Sequence, residues 1–386
     1  MKKTPVFIDW IYLAQMHPEG GLPPVGGAVR AKAEKAEWLE VDGVKYLVLS
    51  NEGEDTAPGY SVSSLQHCGS YDTKVITRCD GSLVTLSGNV GRLDRPDNVF
   101  NYGLDDTIQK ASDVVTQYGL PAFHAGRLVE KSSVSEHDRD LGLWTEWTGA
   151  VQRELHATCN YFAGNEAIAK EAMRYMGGLR AARIAKGMYG DETIVFGHLA
   201  RKGKRLHKAL VVYRKAAEML AHAKGEEAKK RVKASQEYQF ALELGLIRVE
   251  CKWGTDFLRD NALRHIGEAT MGKVISLFEA ETDFLLNASP DRAARLVSEM
   301  PVKVRSAALH WIRGDDLRML MSRATYFRMV KALRDYGIDA AEPRHVTGRP
   351  NTEEALQRML DALPRFDLKP LEVPEWYGLP EVRRAA

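Results

Sequence analysis

Over the first hundred residues the apolar positions fall in short runs, "VFIDWIYLA", "VKYLVLS", "TKVITRC" and "SLVTLSG". They are rich in β-branched and aromatic residues and separated by Gly, Pro and Asp, a pattern that predicts strands. Residues 104–118 change to a helical period, and a polar stretch with Gly, Ser and Asp follows near 125–142. From 150 onward the pattern predicts strand "VQRELHATCNYF", helix "NEAIAKEAMRYMGGL", strand "ETIVFGHLA", a turn at "RKGK", strand "LHKALVVY", helix "RKAAEMLAHAK", a second helix through "EYQFALEL", and strand "LIRVECKWG". This is βαββαβ with an added helix. Because its two middle strands form a hairpin, the order predicts an α+β fold, a ferredoxin-like antiparallel sheet flanked by helices, rather than a doubly wound parallel sheet. From about 256 to 366 the period is helical. The clearest helix is "SRATYFRMVKALRDYG", with Ser322 or Thr325 as its cap, Gly337 as its stop, and Phe327, Val330 and Leu333 as its buried stripe. The closing "LKPLEVPEWYGLP" is proline-rich and reads as irregular. The chain thus divides at about 255: a β-rich part over 1–125 and the βαββαβ unit over 150–255, then a helical domain over 256–386.

Composition adds little to this picture, and charge adds more. With 386 residues, 44% hydrophobic and 27% charged, the chain is an ordinary soluble protein large enough for two domains. Its net charge is only +2, yet residues 201–235 hold twelve Lys and Arg against three acids. Such a run reads either as a phosphate-binding patch or as a solvated helical face. The cysteines at 68, 79, 159 and 251 show neither a CxxC pair nor zinc spacing, which fits a reducing cytoplasm. The start "MKKTPVFIDWIYLAQ" imitates a signal peptide, but Asp9 interrupts its apolar run and no small-residue cleavage site follows. No apolar stretch approaches the ~18 residues of a membrane span.

Candidate chemistry lies in the βαββαβ unit. Strand alternation puts Glu154, His156, Thr158 and Asn160 on one face, so Glu154 and His156 are neighbours that can share a divalent cation or simply line a half-exposed strand. By the same rule Arg248, Glu250 and Lys252 share a face. In a ferredoxin-like order Glu250 would join His156 at one cation; the plainer reading is a cross-strand ion pair. Tyr213 ends the apolar run "LHKALVVY". It is either a core residue or a nucleophile, and a phenol whose ordinary pKa is near ~10 needs a cation or metal to serve as one. Lys215 and a metal at His156 and Glu250 would supply that help. His207 is in phase with Tyr213, where it could position phosphate or transfer a proton.

The chain resembles the filamentous-bacteriophage gene II replication initiators (the II/X family), tyrosine nucleases of the HUH type. "LVTLSGNVGRLDRPDNVFNYG" is similar to the family's segment before its first long helix, and "RLHKALVVYRKAAEM" to its tyrosine segment. "LGLIRVECK" is similar to its Arg-x-Glu strand, and "SRATYFRMVKALRDYGI" with "PEWYGLP" to its C-terminal region. The resemblance is distant and collinear over most of the chain. It puts Tyr213 on the nicking tyrosine, His207, Lys215 and Glu218 in matching places, and Glu250 on the Glu of the Arg-x-Glu strand. His156 stands where the family has Asp, and no literal His-hydrophobic-His motif is present.

The resemblance implies an HUH-like fold and a rolling-circle initiator that nicks one strand at an origin, forms a 5′-phosphotyrosine, frees a 3′-hydroxyl and later rejoins the displaced strand. The expected cofactor is Mg²⁺ or Mn²⁺, with His156, Glu250, Glu154 and Glu218 as its ligands. Expected DNA contacts are Lys202, Lys204, Arg205, Lys208, Arg214 and Arg248, with Trp253 stacking on bases and Arg328 and Lys331 reading duplex DNA. Expected partners are origin DNA, a host helicase and polymerase, and a second copy on DNA, all in the bacterial cytoplasm and away from membranes. The rival expectation is a DNA-binding regulator on the same scaffold that never cuts.

Overall fold

A computed structural model describes residues 5–26, 29–32, 35–41, 44–50, 59–62, 65–68, 74–93, 95–140, 142, 144–178, 186–189, 192–197, 206–286, 300–312, 314–334, 336, 340–341 and 368–382. It divides into two units.

The first unit holds residues 8–156, 254–271 and 379–386. Its strands are β1 (Phe7–Met16), β2 (Val29–Lys32), β3 (Lys35–Val41), β4 (Val44–Ser50), β5 (Gly59–Val62), β6 (Leu65–Cys68), β7 (Lys74–Cys79) and β8 (Leu83–Gly88). Helix α1 (Leu104–Thr116) follows, then β9 (Leu128–Glu130), α2 (Glu136–Asp140), β10 (Thr145–Trp147) and the opening half of β11 (Val151–Phe162). The main sheet runs β11–β1–β8–β7–β6, while β2–β5, β3–β4 and β9–β10 are separate antiparallel pairs. β1 is buried along nearly its whole length, as a central strand covered on both faces must be. β8 alternates buried and half-buried positions. Ile11, Leu13, Val75, Leu86, Leu104 and Val115 are core residues here.

The Gly- and Asn-rich segment after β8 is built around Asp9. Asn89 and Asn98 each donate a side-chain N–H to the Asp9 carboxylate, at 2.9 and 3.0 Å. Asn101 Nδ2 donates to Asn89 Oδ1 at 2.9 Å. Arg95 is buried and donates to the carbonyls of Gly91 and Phe100, at 2.8 Å each. A Cβ at position 91 would collide with the Asn101 side chain, so only glycine fits.

The second unit holds residues 1–7, 157–253 and 272–378. It contains the closing half of β11, α3 (Glu166–Gly178), β12 (Lys186–Tyr189), β13 (Thr193–Gly197), β14 (Lys208–Arg214), α4 (Lys215–His222), α5 (Glu226–Ala234), α6 (Gln236–Glu243) and β15 (Leu246–Gly254). Helix α7 (Thr255–Asp260) belongs to the first unit; here the chain resumes with α8 (Met271–Leu286), α9 (Val302–Ile312), α10 (Leu317–Leu320), α11 (Arg323–Arg334) and the two-residue β16 (Lys369–Pro370). The strand order is β12–β13–β14–β15–β11, with β16 on the end of β11. The predicted central hairpin is present as β13–β14. The order departs from the ferredoxin-like expectation, in which the first strand of the motif lies beside the third. Here β14 lies between β13 and β15, and β15 lies between β14 and β11.

Two further expectations change. The second helix expected through "EYQFALEL" is present as α6 and is preceded by a separate α5, because Ser235 ends α5 and its hydroxyl caps α6 by accepting the Tyr238 N–H. In α11 the buried stripe is Tyr326, Val330 and Leu333, packed with Met300, Val304, Trp311 and Leu317, and Phe327 points outward. Ser322 caps this helix through the Thr325 N–H; the expected stop, Gly337, is outside the described residues. No described helix is long and apolar enough to cross a membrane.

Candidate functional site

Tyr213 is the penultimate residue of β14, and α4 starts two residues later. The register pairs Tyr213 with Arg248, Val211 with Glu250 and Ala209 with Lys252 across β14 and β15, and Tyr213 with Thr193 across β13 and β14. Directly paired residues in a ladder share a face. Tyr213, Arg248 and Glu250 therefore stand on one side of the sheet; alternation predicted the shared face of Arg248 and Glu250, and the register adds Tyr213 to it. Tyr213 is 8% exposed and packs with Val195 and Val211.

Behind it lies a cluster of charge. The Lys215 side chain is 1% exposed, and its Nζ donates to Glu218 Oε2 at 2.7 Å. Burial would raise the Glu218 carboxyl, but Lys215, Arg248 and His222 outweigh it and hold the group below the ordinary carboxylate range. Arg248 is completely buried; its Nε donates to Asn160 Oδ1 at 2.9 Å and its guanidinium lies over the Phe7 ring, 5.4 Å from the centroid. Lys215, Glu218 and Arg248, all singled out in the sequence, form one charge cluster at the β14–α4 junction, and Tyr213 pairs with Arg248 in the ladder. Asn160 is the member that sequence reasoning passed over. Its only signal was its place on the same strand face as Glu154 and His156.

The other expectations fare differently. His207 is exposed and precedes β14. Alternation placed it in phase with Tyr213, but six strand residues at about 3.3 Å each separate the two by roughly 20 Å, too far for proton transfer. Glu250 is buried, and Lys252 pairs with it at 3.2 Å. Arg214 is buried between Glu166 and Glu192, and Lys208 donates twice to Glu281, at 2.8 and 2.7 Å. Arg214 and Arg248 are both buried, each with a polar partner within the chain. Trp253, expected to stack on bases, is buried as well. Lys202, Lys204 and Arg205 lie outside the described residues. Arg328 and Lys331 are exposed on α11.

In the first unit Glu154 and His156 do stand together, Oε1 to Nε2 at 2.7 Å, with the Trp10 ring stacked on the imidazole at 6.0 Å. Mg²⁺ keeps several waters and takes only one or two protein carboxylates, the remaining oxygens coming from substrate phosphates, so Glu154 with His156 would supply the protein's part of such a donor set. Among the described residues no group of three or more His, Cys, Asp or Glu converges.

Residues 296–382 match the family of C-terminal regions of the gene II replication-associated proteins. The chain is also 26% identical over 330 residues to the gene II replication-associated protein of Escherichia phage If1, covering 79% of this chain and 98% of that protein. No solved structure matches. The matched C-terminal region begins beyond the β14–α4 junction, whereas the longer alignment takes in most of the chain. The chain is therefore similar, over most of its length, to the filamentous-phage gene II replication-associated proteins, the family its motifs resemble.

Proposed function

We propose that this protein initiates phage DNA replication by nicking one strand at an origin, with Tyr213 as the nucleophile. The observation that carries the reading is the β14–α4 junction. A tyrosine at the end of a strand faces a buried arginine across the ladder, and an ion pair between buried Lys215 and half-buried Glu218 anchors the helix that follows. Positive charge near a phenol favours its phenolate. In the cutting step Tyr213 gives up its phenolic proton and its oxygen bonds to the scissile phosphorus. The P–O3′ bond breaks, and the departing 3′ oxygen takes up a proton. Reversal by the 3′-hydroxyl of the displaced strand restores the DNA and the free tyrosine, with no energy source beyond the phosphotyrosine bond. Lys215 and Glu218 act as positioning residues, since their charges are spent on each other inside the fold. A free 3′-hydroxyl is the end that a host polymerase extends, so the work belongs in the bacterial cytoplasm.

The test is incubation of the protein with supercoiled origin plasmid and a divalent cation, followed by denaturing electrophoresis. A nicked circle carrying covalent protein is the expected product. Origin binding without any nick would instead select a non-cleaving regulator.

A further inference from the structure

The outward face of α11 is unusual in what it exposes. Arg323, Ala324, Phe327, Arg328, Lys331 and Arg334 are all exposed, and the helix contains four cations and no acid. Phe327 sits at the centre of this face, one turn from Arg323 on one side and from Lys331 on the other. It is 58% exposed, with the Arg323 guanidinium 6.0 Å from its ring centroid. The short α10 before it adds Met319 and Leu320, 83% and 51% exposed. A single exposed apolar side chain needs no explanation. An aromatic ring set among cations on a helix free of acids asks for a polyanion that also carries flat apolar faces.

We infer that the outer face of α11 binds single-stranded DNA, with Phe327 stacking on an unpaired base and Arg323, Arg328 and Lys331 holding the phosphates beside it. The choice of single strand over duplex follows from the chemistry at the centre of the face. Helices that read a groove bring hydrogen-bonding side chains to base edges. A phenyl ring has neither donor nor acceptor; its match is the π-face of a base, reachable only once the base is unstacked. The burial of Tyr326 in place of Phe327 makes this face available. The Tyr326 hydroxyl donates to the Ala341 carbonyl at 3.0 Å and accepts from Arg318 Nε at 3.2 Å, so the polar ring is the one the core keeps.

This inference rests on DNA being what the protein handles, and the test separates the two ideas. Full-length protein is titrated against a fluorescein-labelled mixed-sequence single strand and against the same sequence as duplex, following anisotropy at several salt concentrations. Phe327→Leu keeps an apolar side chain without a π-face, and Phe327→Trp keeps the π-face. The expected result is a loss of roughly 5- to 150-fold in single-strand affinity for Phe327→Leu, the size of one base–aromatic stack, with Phe327→Trp close to wild type and duplex binding unchanged. Arg328→Ala with Lys331→Ala should flatten the salt dependence. Equal single-strand affinity for Phe327→Leu and wild type overturns the stacking role. An equal loss on duplex assigns the face to groove binding and overturns it too. A wild-type protein that binds neither DNA sinks this inference and the proposed function together, whereas failure confined to Phe327 leaves Tyr213 nicking standing.

Discussion

Tyr213 stands directly opposite Arg248 in the β14–β15 ladder, and the same arginine reaches Asn160 on β11. The arginine is therefore fixed from two strands, and the tyrosine's neighbour across the ladder cannot swing away. The arrangement joins a residue whose chemistry is wanted to one whose burial is structural.

Tyr213→Phe removes one oxygen and almost no packing surface. Its expected outcome is unchanged binding to origin DNA and no covalent complex. Wild-type nicking by this variant would remove Tyr213 from the mechanism.

Arg248→Ala removes the buried donor to Asn160 Oδ1 and opens a cavity beneath Phe7. The expected loss is about 2–4 kcal/mol of stability. Urea denaturation reads it directly, and a midpoint equal to that of wild type would show that the arginine is not held as described.

The Glu218 carboxyl sits below its ordinary range, so the folded state binds its proton less readily than the unfolded chain does. Its contribution is whole above the ordinary carboxylate range and is lost as pH falls through that range and below it. Protonation would also strip the buried Lys215 ammonium of its counter-charge. Glu218→Gln should make wild type and variant converge in stability at acid pH and differ most near neutrality. A gap that stays constant between neutral and acid pH would contradict this.

Gly245 joins α6 to β15 with φ +58, and a Cβ there would strike the Asn165 carbonyl at the head of α3. Gly245→Ala should cost more than the ~1 kcal/mol of the left-handed backbone alone, because the clash is with main chain. Thermal melting of this variant beside Gly225→Ala, where φ is also positive but the space is open, isolates the clash. Equal melting points for the two would refute it.

Much of this was legible in the sequence. β11, β15 and β4 have the bounds their apolar runs gave, and period two alone puts Arg248 and Glu250 on one face of β15. What the sequence hid was pairing between distant residues. Nothing near Arg248 announces that Asn160, 88 positions away, will let a guanidinium be buried. For α11, Phe327 and Tyr326 fit the same helical stripe, and hydropathy prefers phenylalanine. The tyrosine is inside because its hydroxyl finds Ala341 and Arg318, which no periodicity records. For His207 the six-residue spacing itself carries the distance, roughly 20 Å along an extended chain, which phase alone leaves out.

The small strand β16 sets a timetable for folding. Asn160 accepts the Leu371 N–H through its backbone while its side chain holds Arg248, so the end of β11 is not fully paired until residue 371 has been made. About 210 residues separate the two positions, roughly 10–40 s of synthesis at ~5–20 residues per second. Through that interval a ribosome-bound chain carries an unfinished strand end beside the arginine that faces Tyr213. The sheet bearing the tyrosine can take its final form only after residue 371 has been made.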